Sequence, residues 1–337
     1  MIDFRSDTVT RPTPGMLQAM TEAPVGDDVF EEDPSVNKLQ SHAAKLFSME
    51  DALFCPSGTM TNQVAIKTHT RPGDEVICND LAHVYIYEGG GMAFNAGVQA
   101  RPLAGDRGRI TAAQVEEAIN PLDIHKAPTT LVCLENTANR GGGSCYDVEE
   151  IRRIRKVCDR QGLKLHLDGA RLFNAMIAKN DRPETFGALF DSISICLSKG
   201  LGAPVGSLLL GSQAFIREAR RIRKRFGGGM RQAGFLAAAG LYALEHQVER
   251  LADDHRHAQQ VAGVLQQKDF TGEIVPVETN ILIFEVKGRF SAASLAEALR
   301  QQNILVMPIS PSQVRMVLHL DISREMVEKT CDVLREL

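Results

Sequence analysis

The chain has 337 residues, 44% of them hydrophobic and 24% charged, and its formal net charge is −4 at pH 7. This composition is typical of a globular protein with room for one large domain and a smaller one, and the charge gives no general reason to expect nucleic-acid binding. Seven scattered cysteines without a C-x-x-C pair disfavour a disulfide scaffold and a zinc site. The sequence shows neither a secretory apolar segment nor an apolar run long enough to span a membrane, so we expect a soluble cytoplasmic protein.

The first fifty residues predict an arm and two helices. A polar, proline-containing arm leads into a helix over about residues 15–21. Residues 25–34 are acidic and are predicted to be irregular, and Ser35 then opens a second helix.

From residue 53 to residue 210, short apolar strands alternate with helical patterns. The predicted strands cover residues 75–78, 130–134, 163–167, 192–197 and 207–210, and a helix over 147–161 separates two of them. This alternation predicts an α/β fold with a mostly parallel sheet covered by helices.

The pattern changes after about residue 243. A long polar helix over 245–267 is followed by a strand at 279–286, a helix at 291–302, strands at 304–306 and 315–318, and a closing helix. We therefore predict an N-terminal arm and first helix (1–20), a large domain (21–245) and a small α+β domain (246–337).

Lys199 is the most informative single residue. It follows the apolar run Ile193–Leu197 and is the only charged residue between Ser192 and Ile216. A buried amine is costly unless it is paired, neutral or covalently used, and a neutral amine is a nucleophile toward a carbonyl carbon. The alternative is a lysine that extends from the strand end into solvent.

Asp168 stands at the end of another predicted strand, Leu163–Leu167, before Gly169. Ligands bind at the carboxyl ends of strands in open α/β sheets, whereas the alternative use of such an aspartate is to cap a helix. A lysine that forms a Schiff base and a carboxylate that pairs with a pyridine nitrogen together predict a pyridoxal phosphate site.

Two further segments fit such a site. Residues 57–62 read as a helix N-terminus with hydroxyl groups, which could bind a phosphate or could be a plain cap. His83, Tyr85 and Tyr87 precede three glycines, and they could contact a flat cofactor ring or a substrate; a hydrogen-bonded core histidine is the alternative.

Arginines supply the remaining signals. Residues 216–226 carry six cations ahead of a glycine run, a pattern that fits a solvated helix face, a nucleic-acid patch or a loop that approaches an anion. Arg315 lies in the apolar strand at 314–318, where it requires a carboxylate from the protein or from a substrate.

Taken together, the whole chain resembles the low-specificity L-threonine aldolases, which are pyridoxal phosphate enzymes of the aspartate aminotransferase-like fold. The resemblance is carried by several motifs in the same order. They are Phe4–Pro12, Ser57–Thr59, His83, Leu134–Thr137, His166–Arg171, Leu197–Gly202, Gly227–Gln232 and Arg315.

The resemblance implies a role for each matching residue. Lys199 would hold the cofactor as a Schiff base, Asp168 would pair with the pyridine nitrogen, and His83 would stack on the ring. The other implied cofactor contacts are Gly58, Thr59, Ser198 and Arg171, with Lys224 and Arg231 reaching the phosphate region of a neighbouring subunit. The implied substrate contacts are Ser6, Arg171, Arg315 and Tyr87, with His83 and His125 near the substrate hydroxyl as catalytic residues.

The implied activity is reversible cleavage of threonine, allo-threonine and related β-hydroxy-α-amino acids to glycine and an aldehyde, in a homodimer with shared active sites that pairs into a tetramer. A β-eliminating lyase or a racemase on the same scaffold remains an alternative, as does a non-catalytic nucleic-acid-binding protein. One departure from the family pattern is Ala138, where many relatives have a histidine, followed by the unusual Gly141–Gly143.

Overall fold

The computed structural model describes all 337 residues and contains three sheets. The strands are β1 (Ile2–Asp3), β2 (Asp51–Cys55), β3 (Glu75–Asn79), β4 (Gln99–Leu103), β5 (Thr129–Glu135), β6 (Lys164–Gly169), β7 (Ser192–Cys196), β8 (Ser207–Gly211), β9 (Thr271–Ile274), β10 (Ile281–Val286), β11 (Ile304–Leu305), β12 (Met307–Pro308) and β13 (Gln313–Val317).

Thirteen α-helices surround these sheets. They are α1 (Pro14–Thr21), α2 (Pro34–Leu46), α3 (Gly58–His69), α4 (His83–Ile86), α5 (Ala112–Ala118), α6 (Val148–Gln161), α7 (Leu172–Lys179), α8 (Pro183–Leu189), α9 (Gln213–Arg225), α10 (Gly234–His246), α11 (Leu251–Leu265), α12 (Ala292–Gln301) and α13 (Arg324–Glu336). Short 3-10 turns cover Asp7–Val9 and Asp28–Phe30, and a π-helical segment covers Met92–Ala96.

The large sheet has seven strands in the order β2-β8-β7-β6-β5-β3-β4. Strands β3 to β7 pair in parallel with one another, and β8 runs antiparallel to both β7 and β2. Six of the seven strands therefore point the same way, which confirms the predicted α/β class with a mostly parallel sheet. The common direction brings their carboxyl ends to one edge.

The strand register fixes which residues meet at that edge. Glu135 of β5 lies opposite Asp168 of β6, and Asp168 lies opposite Ser194 of β7. The segment that carries Lys199 leaves the sheet just beyond β7, and α3 begins just beyond β2. Residues far apart in sequence are thus neighbours at one end of the sheet.

The C-terminal part forms a second core on a four-stranded antiparallel sheet, β12-β13-β10-β9. Side chains of α11, α12 and α13 pack on it, and Ile2 and Phe4 join the same cluster. Strand β1 pairs in parallel with β11, so the N-terminal arm is tied to the C-terminal residues. The division into three segments stays a prediction.

The helix predicted over about 245–267 is confirmed for most of its length as α11 (Leu251–Leu265), but its start is wrong. Two helices, α10 and α11, stand there, and residues 247–250 separate them. Ala237 and Ala239 of α10 pack into the core beneath the large sheet, whereas Ala258 and Val261 of α11 pack into the C-terminal core. The chain turns because the two helices pack into different hydrophobic cores. No glycine or proline lies at residues 247–250, so the sequence gives no local sign of the turn.

None of these helices combines the length and the apolar character that crossing a bilayer demands.

Candidate active site

Lys199 faces a cavity of about 130 Å³ at the carboxyl edge of the large sheet. Asp168, His83, Gly58 and Thr59 line the same cavity. The lysines that form ion pairs are Lys164 and Lys179, so the Lys199 amine stays without a carboxylate partner. Its backbone is fixed, because the Thr10 hydroxyl donates to the Lys199 carbonyl at 3.0 Å. The half-buried amine therefore shares a cavity with the residues that the sequence analysis predicted for the same site.

Asp168 is held in place by an amide. Its side chain is 2% exposed, and its Oδ2 accepts a hydrogen bond from Asn62 Nδ2 at 2.8 Å. The Ala170 N–H donates to Oδ1 at 3.2 Å. Helix α7 begins at Leu172 and has Arg171 at its N-cap, so Asp168 does not cap that helix.

The start of α3 is arranged to receive an anion. The Ser57 hydroxyl accepts the Met60 N–H at 3.2 Å, which leaves the N–H groups of Gly58 and Thr59 without partners inside the helix. A Cβ on Gly58 would lie 2.6 Å from the Cys196 sulfur, so only glycine fits there. The free amides and the exposed Thr59 open onto the Lys199 cavity.

His83 stands at the first residue of α4 with a fixed orientation. Its Nδ1 lies 2.9 Å from Glu88 Oε1, and its ring centroid lies 5.8 Å from that of Tyr87. Burial lowers the pKa of His83, but the hydrogen bond to Glu88 and the negative charges of Asp168 and Glu88 outweigh it and raise the pKa above its usual value.

Glu88 is a buried hub that sequence reasoning did not single out. Besides His83, it accepts hydrogen bonds from Asn62 Nδ2 at 2.9 Å and Gln63 Nε2 at 2.5 Å. Atoms of His83, Glu88 and Asp168 lie within 4.8 Å of one another, a spacing that would suit a metal. However, the Asn62 amide donates to both carboxylates, and a cation there would face its hydrogens. The cluster is a hydrogen-bonded network.

Glu135 is a second residue that sequence reasoning missed. Its carboxylate accepts the backbone N–H of His83 at 2.8 Å and that of Asn139 at 2.9 Å. Burial, aided by the charge of Asp168, raises the pKa of Glu135 to about 7. A glutamate at the end of a predicted strand was the signal that the sequence offered. Only the pairing register of β5 with β6 makes Glu135 a neighbour of Asp168.

Arg171 is engaged with the N-terminal arm. Its Nε and Nη2 each donate to Asp7 at 2.7 Å, and both side chains are almost completely buried. Burial acts to raise the pKa of Asp7, but the Arg171 charge outweighs it and lowers the pKa to about 2. Only the Nη1 group of Arg171 is left for the predicted contact with a substrate or cofactor.

Arg315 has no carboxylate partner. Its Nη1 donates to Asn139 Oδ1 at 3.1 Å, its Nη2 donates to the Arg5 carbonyl at 3.0 Å, and its buried Nε bonds to nothing. Burial and the nearby positive charge of Arg171 lower its pKa from the usual value. A guanidinium with an unused donor and only neutral acceptors is suited to an anionic ligand.

Other predicted site residues lie elsewhere on this chain. His125 is on a surface loop with its side chain 82% exposed and bonded to Asp123. Arg231 is 55% exposed and pairs with Asp27, and Lys224 lines a separate basic cleft along α9. Of these three, none lines the Lys199 cavity.

Of the two serines predicted for the site, Ser198 lines the Lys199 cavity and Ser6 does not. Ser6 caps the short turn at Asp7–Val9, where its hydroxyl accepts the Thr8 N–H at 3.2 Å. Ser198 lines the cavity beside Lys199.

The basic run on α9 is only partly a surface feature. Arg223 is buried, where it donates to Asp28 Oδ2 at 2.7 Å and to the Phe54 carbonyl at 2.5 Å. Arg220 lies 3.4 Å from Glu31. Part of the charge that the sequence offered as a nucleic-acid patch is therefore used inside the chain.

The unusual glycines near Ala138 form a tight hairpin. Ala138 pairs with Ser144, and Gly142 and Gly143 have φ of +74° and +73°. A Cβ on Gly142 would lie 2.7 Å from the Val275 side chain. The glycines allow both the left-handed backbone and the close packing against the C-terminal part.

Comparison with known proteins gives a consistent result. A family model described as beta-eliminating lyase matches residues 3–289. The chain is 46% identical over 326 residues to the low specificity L-threonine aldolase of Escherichia coli strain K12, and the match covers 96% of each chain. It is 41% identical over 334 residues to the probable low-specificity L-threonine aldolase 2 of Arabidopsis thaliana, covering 97% of this chain and 94% of that one.

A solved structure described as Leishmania major threonine aldolase has a similar fold. Its TM-score is 0.88 at 21% sequence identity, and the match covers 100% of this chain and 99% of that chain.

The Asp7–Arg171 pair yields a stability prediction. Asp7→Asn leaves a buried guanidinium without its counter-charge, so we expect the free energy of unfolding to fall by about 3–5 kcal/mol. Urea denaturation measures this change. In the control, Asp3→Asn breaks the more exposed Asp3–Arg5 pair, and we expect a loss of at most about 1 kcal/mol. Equal losses in the two variants would contradict the role given to the buried pair.

Proposed function

This chain belongs to the beta-eliminating lyase family and, within it, to the low-specificity L-threonine aldolases, and from this premise we propose that it cleaves β-hydroxy-α-amino acids reversibly to glycine and an aldehyde. L-Threonine and L-allo-threonine, which yield acetaldehyde, are the proposed substrates. The observation that carries the proposal is the unpaired Lys199 amine, which shares one cavity with the buried Asp168 carboxylate.

Pyridoxal phosphate is the proposed cofactor, and the residues present fit it. The free amides of Gly58 and Thr59 suit the phosphate, with Ser198 beside them, and Asp168 suits the pyridine nitrogen. Lys199 would hold the aldehyde carbon covalently. When bound, this cofactor takes up the electron pair that remains on the α-carbon after a bond to it breaks.

Arg315 would hold the substrate carboxylate. Its buried, unused Nε and its neighbours' neutral oxygens support this role, and Ser6 and the free Nη1 of Arg171 are further candidates. A fixed carboxylate fixes the rotation about the substrate's Cα–N bond. The chain thereby selects which bond to Cα stands perpendicular to the ring and breaks.

His83 would handle the proton of the substrate hydroxyl. Because Glu88 accepts a hydrogen from Nδ1, the neutral ring keeps its lone pair on Nε2. The His83 ring is partly exposed and lines the cavity, so Nε2 is available to accept a proton directly or through a water. Tyr87, whose ring neighbours that of His83, is a proposed substrate contact.

We propose that the active site is completed by a second copy of the chain, in a homodimer that pairs into a tetramer. His125, Lys224 and Arg231 lie outside the cavity of their own chain, so the roles implied by family resemblance require a neighbouring subunit. Leu122 and Ile124, beside His125, are almost fully exposed, which suits burial against a partner.

The seven cysteines are all free and buried, as suits a reducing compartment such as the cytoplasm.

Lys199→Ala tests the activity and the cofactor together. We expect this variant to lose threonine cleavage, measured as glycine and acetaldehyde released, and to lose the visible absorbance of the bound cofactor. Lys164→Ala, which removes an exposed amine, serves as the control. Near-normal cleavage by Lys199→Ala would contradict the assignment. Pyruvate and ammonia as wild-type products would point instead to β-elimination, and a D-amino acid would point to racemisation.

Arg315→Ala tests the carboxylate site. Loss of a charge-assisted contact made in both ground and transition states is expected to raise the KM for threonine by about tenfold or more, with a smaller change in kcat. Arg300→Ala removes an arginine that pairs with Glu297 on an exposed helix face and should leave KM unchanged. An unchanged KM in Arg315→Ala would exclude the proposed contact.

Mixed dimers test the shared site. Lys199→Ala and Lys224→Ala are each expected to be inactive or weakened alone, because each lacks one part of every site. Co-expression with different affinity tags yields hybrid dimers in which one site has both residues intact. We expect activity to return in the purified hybrid, and its absence would place Lys224 outside the partner's site.

A further inference from the structure

A chain of buried polar side chains beneath α3 runs from Asp168, at the carboxyl edge of the large sheet, to the amino edge of the same sheet. His69 at the end of α3 has its Nε2 2.8 Å from Ser192 Oγ. The same hydroxyl lies 2.8 Å from His166 Nδ1, and His166 Nε2 lies 3.2 Å from Asn62 Oδ1. The chain thus connects residues on α3, β7 and β6. His166, Ser192 and Asn62 are almost completely buried.

The direction of the first hydrogen bonds follows from the Asn62 amide. Its Nδ2 donates to Asp168 at 2.8 Å and to Glu88 at 2.9 Å, and these two bonds use both amide hydrogens. The amide cannot be turned around, because its oxygen would then face two carboxylates. Asn62 Oδ1 is therefore an acceptor, and the hydrogen between it and His166 must be carried by His166 Nε2.

The remaining directions follow from the neutrality of the two imidazoles. Burial lowers the pKa of His166 to about 3 and that of His69 to about 4, so neither carries a charge at neutral pH. With its hydrogen on Nε2, His166 has a bare Nδ1 that must accept the Ser192 hydroxyl hydrogen. The Ser192 oxygen then accepts a hydrogen from His69 Nε2. Every donor points toward the active site.

The far end of this chain is at a second cavity. His69 lines a cavity of about 340 Å³ with Phe215, Lys164 and Asp191, and its ring stacks on Phe215 at 4.4 Å between centroids. The stack fixes the plane of the His69 ring, and Nδ1 is the ring nitrogen left over for solvent. The chain therefore begins at a rigid imidazole that water can reach and ends at two carboxylates, of which Asp168 shares the cavity with Lys199.

We propose that His69, Ser192 and His166 are positioning residues that act through Asn62: their one-way hydrogen bonds lock the amide so that it holds Asp168 and Glu88 in the geometry that cleavage requires. The inference rests on the proposed function. Without the His166 donor, Asn62 Oδ1 is buried without a partner, and the amide shifts toward another donor, which displaces the two carboxylates that it holds. An amide also interrupts proton relay, so the chain orients groups and does not conduct protons.

The first test reads the hydrogens directly and needs neither cofactor nor substrate. Long-range 1H–15N spectra of the wild-type protein at pH 7 should show His166 and His69 as neutral rings with hydrogen on Nε2, assigned through the signals lost in His166→Gln and His69→Gln. A cationic His166, or one with its hydrogen on Nδ1, would overturn the proposal whatever the enzyme's activity.

The second test separates positioning from packing. His166→Phe removes the donor, and we expect kcat to fall about tenfold while KM changes less than about twofold, because the Arg315 site is untouched. The affinity for pyridoxal phosphate, measured by fluorescence titration, should also weaken. His166→Gln keeps an N–H at the Nε2 position and should restore most of the activity. Equal kcat in all three proteins would contradict the proposal.

A matched control is available at His255. It is also a buried histidine bonded to an asparagine, Asn174 at 3.2 Å, and burial lowers its pKa to about 4. His255→Phe should destabilise the protein about as much as His166→Phe does, with kcat nearly unchanged. A fall in kcat as large as that of His166→Phe would mean that the loss comes from general destabilisation.

If His166→Phe does not fold, Ser192→Ala carries the test. This smaller change removes the hydroxyl that donates to His166 Nδ1, so the 15N signal of that nitrogen should shift while the hydrogen stays on Nε2, and kcat should fall. An unchanged kcat in Ser192→Ala would overturn the proposal. If the wild-type protein releases no glycine from threonine, the proposed function fails, while the tautomers and cofactor affinity still test the hydrogen-bond chain.

Discussion

The site depends on keeping two carboxylates buried side by side. Parallel pairing of β5 with β6 places Glu135 next to Asp168 at the sheet edge, where their negative charges repel. The repulsion adds to burial in raising the pKa of Glu135 to about 7, while the Asn62 amide and the lysine-bearing cavity surround Asp168. Backbone N–H groups of His83 and Asn139 occupy the Glu135 oxygens. Much of the polar framework around the cavity serves to hold these two groups.

The N-terminal arm closes the other side of the same site. Asp7 reaches Arg171 from the arm, and Thr10 binds the carbonyl of Lys199. Ile2 and Phe4 meanwhile pack into the C-terminal core, which also carries Arg315 on β13. The arm therefore contacts the loop that carries Lys199, the buried Arg171 and the core that carries Arg315. Disturbing one of these contacts is expected to reach the others, because all three share one short segment of chain.

Sequence reasoning succeeded where a residue's surroundings along the chain are unusual. A lysine after an apolar run, an aspartate at a strand end and an arginine inside a strand each stand out. Lys199 and Asp168 do line one cavity, whereas Arg315 bonds to Asn139 and is not among the residues that line it. Glu88, Glu135 and Asn62 escaped notice because glutamate and asparagine are ordinary in loops and helices. Their burial, which makes them exceptional, arises from elements that lie as many as 106 residues away in the sequence.

The sequence by itself determined the α/β class, the strands at the carboxyl edge and the family, because hydrophobic periodicity and motif order are local properties of the chain. Only the tertiary structure decided that Arg171 is neutralised by Asp7, that residues 247–250 break a predicted helix, and that His166 points its hydrogen at Asn62. Each of these depends on which groups meet after folding. Burial and the partners that meet there set the protonation of these groups and the direction of their hydrogen bonds, which no single stretch of sequence encodes.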